Sequence, residues 1–158
     1  MNVMAPTRPT ELRGRRVRLT TGPAASAEAR RQVRAAIRAW EIPVDPDVAI
    51  LLTSELVTNA IRHEVTGIVL LAITTSGSNS CGQLRVDVHD TSRCLPMLVD
   101  ASADDEAGRG LMLVTTLSDE WGFYRTPAGK AVYFTLAFAP DVAEGNGRGP
   151  QGVHAWGL

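Results

Sequence analysis

The chain has 158 residues and a net charge of −1, with 44% hydrophobic and 21% charged residues. That size and mix suit one globular domain and exclude collagenous, low-complexity and fully disordered chains. The charge is uneven: residues 1–40 carry +7 and the remainder carries −8.

Residues 1–11, with Pro6 and Pro9, read as a flexible tail. Leu12–Thr21 sets Val17 and Leu19 among arginines, an alternation that predicts an edge strand closed by Gly22-Pro23. Ser26 is the expected cap of a helix reaching Trp40. Its apolar stripe is Val33, Ala36, Ile37 and Trp40, while Arg30, Arg34 and Arg38 line another face. Those arginines suit a solvated face or a partner-binding one. Asp45 and Pro46 have the chemistry of a cap and a first helical residue, so a second helix is expected from about Asp47 to His63. Gly67 ends that segment, and Ile68–Thr75 reads as a buried strand.

Gln83–Asp90 alternates Leu84, Val86 and Val88 with Arg85, Asp87 and His89, the pattern of a half-buried strand. The acidic, small-residue stretch 97–107 reads as a mobile loop. Gly108 to about Leu117 is expected to be a loop that enters a helix. Trp121–Arg125 and Ala131–Phe138 flank Thr126-Pro127-Ala128-Gly129 and predict a hairpin. Residues 139–158 are rich in Gly and Pro without periodicity and read as a disordered tail. This order of elements predicts an α+β two-layer sandwich, with helices on one face of a mostly antiparallel sheet.

Other features narrow the class of function. The longest apolar run, Ile68–Ile73, falls far short of the ~20 residues a bilayer span needs. No basic and then apolar opening suggests a secretory leader. Cys81 and Cys94 lack paired spacing and read as two small buried fillers in a reducing, cytoplasmic setting. The basic segment has few aromatics to stack bases, so a direct nucleic-acid contact is not expected. An acidic protein partner fits the charge better.

Three stretches carry chemistry. In the second helix Glu55 and Asn59 are four residues apart and share a face. A carboxylate there can take a proton from a hydroxyl, and a carboxamide oxygen can ligate Mg²⁺. Ordinary hydrogen bonding on a helix surface uses the same pair. The second stretch, Asp90-Thr91-Ser92-Arg93-Cys94-Leu95-Pro96, follows a strand directly. Asp90 can accept a hydrogen bond from an exocyclic amine, and the small Ser92 lets a flat ring approach; a plain turn has similar residues. The third is Gly108-Arg109-Gly110-Leu111. Its glycines open the backbone N–H groups to phosphates at a helix N-terminus, and Arg109 adds charge. It matches neither the phosphate-binding P-loop nor the three-glycine dinucleotide pattern, and a flexible hinge is the simpler alternative.

Together these motifs resemble the GHKL (Bergerat-fold) ATPase superfamily over residues 12–138, and within it the small anti-sigma-factor serine/threonine kinases of actinobacterial type. The resemblance implies a histidine-kinase-like ATPase domain with a mixed, mostly antiparallel sheet. It implies that Asn59 holds Mg²⁺ bridging the phosphates of ATP and that Glu55 is the general base. Asp90 then reads the adenine amine, with Ser92 beside it. Gly108, Arg109, Gly110 and Leu111 form the phosphate-lining motif, and 97–107 is the lid. His63 ends the motif helix. In Gly129-Lys130-Ala131, Ala131 stands where such proteins commonly carry Thr, so a hydroxyl near the adenine pocket is expected to be missing. The implied partners are a sigma factor and an anti-sigma-factor antagonist of STAS type, with a homodimer possible. The implied activity is protein serine/threonine phosphorylation; the alternative is a non-catalytic, ATP-dependent binding module.

Overall fold

Alternation along the strands decides the architecture. Leu19, Val69, Leu71, Ile73, Leu84, Val86, Val88, Val132, Phe134 and Leu136 are all buried, and strand register sets them on one face. The computed structural model describes residues 12–64, 66–93 and 106–139, the first four of the last span by their backbone alone. The elements are β1 (Arg13–Thr20), α1 (Ala25–Trp40), α2 (Pro46–His63), β2 (Ile68–Gly77), β3 (Gly82–Asp90), α3 (Glu106–Leu117), β4 (Glu120–Arg125) and β5 (Lys130–Phe138). The strands form one sheet in the order β1-β2-β3-β5-β4, and all four pairings run antiparallel.

The helices cover the apolar face. Ala29, Val33, Ala36 and Ile37 of α1, Leu52, Leu56, Val57 and Ala60 of α2, and Val114 of α3 join the strand residues in one core. Each large aliphatic side chain so buried contributes roughly 1.5–3 kcal/mol. The α+β two-layer fold expected from the order of elements is the one observed, but the sheet that the family resemblance implied to be mixed is antiparallel throughout the described strands. Arg30, Arg34 and Arg38 are exposed.

Several local expectations need correction. The N-cap of α1 is Ala24, with no side-chain cap bond, rather than Ser26. The Ala25 N–H instead bonds the carbonyl of Gly22 at 3.1 Å, so the Gly22-Pro23 turn winds directly into the helix. Strand β2 is buried on one side only: Leu70, Ala72 and Thr74 are half-buried because none of the described helices covers their face. Cys81 is exposed in the β2–β3 turn rather than a buried filler, and Cys94 lies outside the described residues. Gly108 and Gly110 lie within α3, which begins at Glu106, and not in a loop before it. The tail at 1–11, loop residues 97–105 and the tail from 140 onward fall outside the described residues. Among the described residues no helix is long and apolar enough to cross a membrane.

Candidate functional site

Helix α2 starts as its sequence dictates. The Asp45 carboxylate accepts from the N–H groups of Asp47, at 2.9 Å, and Val48, at 3.4 Å, with Pro46 in the first turn. Leu52, Leu56, Val57 and Ala60 then press into the core and fix the rotation of the helix. That rotation leaves Glu55 and Asn59 half-buried, one turn apart, where α2 meets α3. Gly110 makes this contact possible. A Cβ there would collide with Oε2 of Glu55 and lie 3.4 Å from its Cδ. The second glycine of the Gly-x-Gly motif therefore admits a carboxylate from the neighbouring helix. Leu111 is buried beside it. Gly108 lies in the first turn of α3, and the Arg109 side chain lies outside the described residues. His63 closes α2 and is exposed.

The second half of the site is the end of β3. Leu84, Val86, Val88 and Asp90 share one face by alternation, so the apolar row ends in a carboxylate turned inward. Asp90 is 4% exposed. Its Oδ1 accepts the N–H of Ser92 at 2.8 Å. Its Oδ2 lies 3.3 Å from Nζ of Lys130, the residue directly across the β3–β5 ladder and 1% exposed. This is an ion pair without hydrogen-bond alignment, and both atoms are buried with no hydrogen bond among the described residues. Burial raises the Asp90 pKa, opposed by the Lys130 charge and the Ser92 N–H. Ala131 pairs instead with His89, so alternation turns it to the opposite face. The expectation that residue 131 faces the Asp90 pocket is corrected: that position belongs to Lys130.

Gly129 brings the β4–β5 turn onto the backbone of Asp90 and Thr91. A Cβ there would strike the Asp90 carbonyl oxygen and come within 2.6 Å of Thr91 Cα. Sequence reasoning missed the residue that joins the two halves. Glu64, just past α2, accepts from the Thr91 N–H at 2.7 Å and from the Thr91 hydroxyl at 2.5 Å. It also accepts from the N–H and hydroxyl of Thr66. Burial alone would raise its pKa, yet the hydrogen bonds from Thr66 and Thr91 hold it near 2. From Asn59 to the end of α2 is about 6 Å of helix rise. Glu64 thus sets the Glu55–Asn59 face and the Asp90–Ser92 turn at the same end of the helix–sheet layer.

Among the described residues no cluster of three His, Cys, Asp or Glu side chains forms a metal site. Asn59 and Glu55 offer oxygen atoms one helical turn apart, a donor set that suits Mg²⁺ already held by phosphates rather than a metal caged by protein.

A helix face with a carboxylate and a carboxamide, a buried strand-end carboxylate paired with a buried lysine, and a glycine-mediated helix contact lie on one α+β layer. The family model of the histidine kinase-like ATPase domain matches residues 19–136, from the end of β1 to near the end of β5. The chain belongs to this family, and ATP is the ligand that membership implies. A search of curated proteins found none that matches the chain.

Proposed function

We propose that this protein is an ATP–Mg²⁺-dependent serine/threonine kinase of the anti-sigma-factor type, which binds a sigma factor and phosphorylates a serine of its STAS-type antagonist. The observation that carries the nucleotide reading is Oδ2 of Asp90, a buried carboxylate oxygen that is ion-paired with Lys130 at 3.3 Å but has no aligned hydrogen bond among the described residues. An unmade hydrogen bond at a buried acceptor costs roughly 1–3 kcal/mol, a cost the ion pair offsets only in part. The exocyclic amine of adenine is a donor of the kind it lacks.

The other roles belong to the same proposal. Ser92 leaves space beside Asp90 for the ring. Asn59 supplies a carboxamide oxygen to the metal. Gly108 and Arg109 belong to the first turn of α3, whose N-terminus favours phosphates, and Gly110, one turn on, makes room for Glu55 beside them. Leu111 anchors that turn in the interior, and His63 marks the end of α2 next to Glu64. Glu55, held at the α2–α3 seam, orients or deprotonates the incoming serine hydroxyl. Bound Mg²⁺ would neutralise charge on the phosphates during transfer. The exposed arginines of α1 offer a face for an acidic partner.

The test is incubation with radiolabelled ATP and purified STAS-type antagonists. Transfer of label to serine supports the kinase. Partner binding that requires ATP, with no transfer to any antagonist, replaces it with the non-catalytic module.

A further inference from the structure

We propose that Lys130 is a second purine-reading residue: its ammonium donates to the ring N1 of adenine while Asp90 accepts from the exocyclic amine. This inference rests on the ATP reading of the site. Lys130 is the only lysine in the chain, and it occupies an unusual place. It heads the row Lys130, Val132, Phe134 and Leu136, all buried on the helix-covered face of β5. A lysine at that depth is rare unless paired. Its partner Asp90, at 3.3 Å, neutralises its charge but leaves Nζ without a hydrogen bond.

An ammonium carries three donors. Among the described residues they meet no acceptor in good geometry, and neighbouring Oδ2 meets no donor in good geometry. The pair therefore sets a donor and an acceptor side by side, both buried and without aligned hydrogen bonds among the described residues, at the end of the apolar core. Adenine presents the complement on its Watson–Crick edge: an amine donor beside a ring-nitrogen acceptor. Guanine in the same pose presents a carbonyl oxygen to the carboxylate and a ring N–H to the ammonium, two mismatches instead of none. Specificity arising from buried polar groups left unpaired is steep. Burial pushes the Asp90 pKa up, and the Lys130 charge opposes that push and so favours the acceptor form of the carboxylate.

The test compares equilibrium binding of ATP and 1-deaza-ATP, in which C–H replaces the ring nitrogen N1. The wild-type protein is expected to bind the analogue about tenfold or more weakly, as for loss of a hydrogen bond to a charged group. In Lys130→Met that ratio should fall to near one. Because this variant leaves a buried carboxylate without its counter-charge, the neutral pair Asp90→Asn/Lys130→Met is measured alongside and should also show no discrimination. Equal wild-type affinity for ATP and 1-deaza-ATP overturns the role of Lys130 and leaves the proposed function standing. Retained discrimination in either variant does the same. Absence of any wild-type ATP binding overturns the proposed function, and this inference with it.

Discussion

Glu64 accepts two hydrogen bonds from Thr91, one from its backbone N–H at 2.7 Å and one from its hydroxyl at 2.5 Å. The two residues are 27 positions apart in the chain. They join the end of α2, which carries Glu55 and Asn59, to the turn that carries Asp90 and Ser92. The geometry of the candidate site therefore depends on one carboxylate outside it.

The first prediction concerns that carboxylate. Its folded pKa of about 2 lies below the ordinary 4.5. A depressed carboxylate stabilises the fold above its unfolded pKa and loses that contribution as pH falls through the folded value. Glu64 is partly open to water, so screening reduces the full linkage energy to about 1–2 kcal/mol. Glu64→Gln should lower Tm by a constant amount between pH 6 and 8, and the gap to wild type should close from about pH 5 to pH 2. Thermal melts of both proteins across that range check it. A gap independent of pH would remove the charge from the explanation.

Gly110 supplies the second prediction. Alanine there gains about 1 kcal/mol of helix propensity over glycine. The added methyl meets the tip of the Glu55 side chain, which can swing away, rather than rigid backbone. The two effects nearly offset, so Gly110→Ala should change Tm by only a few degrees. Displacing Glu55 should nevertheless reduce phosphoryl transfer about tenfold or more, with a much smaller change in ATP affinity. Melting curves and transfer rates measured on one preparation separate these outcomes.

Much of this arrangement is legible in the residues. Asp45-Pro46 announces the start of α2 because a short acceptor and a fixed φ act locally. Leu84, Val86 and Val88 announce the buried face of β3 because period two is a property of any strand. Ser26 misleads because the carbonyl of Gly22 already engages the first turn of α1. Glu64 gives no sequence signal, since its partner Thr91 becomes a neighbour only after β2 and β3 have paired. Lys130 could have been found: one lysine heading the alternation of Val132, Phe134 and Leu136 must face the core, as those residues do. Reading Ala131 as the pocket residue misplaces the register by one, and a one-residue shift turns a side chain to the other face.

Asn59 supplies the third prediction. It is half-buried on α2 beside the α3 contact. Asn59→Ala removes the only carboxamide proposed to reach the metal and raises helix propensity by under about 1 kcal/mol, so the unliganded Tm should move by no more than a few degrees. The rise in Tm that ATP with Mg²⁺ induces in wild type should be lost, whereas the smaller effect of ATP with a chelator should persist. Differential scanning fluorimetry with ATP, with and without EDTA, measures both. A variant with the full Mg²⁺-dependent rise would take Asn59 out of the metal site.

The last prediction turns on where a clash can be relieved. A Cβ on Gly129 meets the Asp90 carbonyl and the Thr91 backbone, atoms held in the β3–β5 ladder and by Glu64. Unlike the Glu55 tip beside Gly110, they cannot rotate away, so the β4–β5 turn must lift from the end of β3. Overpacking of this kind costs about 1–3 kcal/mol. Gly129→Ala should therefore lower Tm well beyond the change at Gly110. Lifting the turn also carries Lys130 away from Asp90, so ATP affinity should fall together with stability. Parallel melts and ATP titrations of Gly129→Ala and Gly110→Ala make the comparison. If both glycines tolerate alanine equally, the close approach of the turn to Asp90 is not what shapes this end of the site.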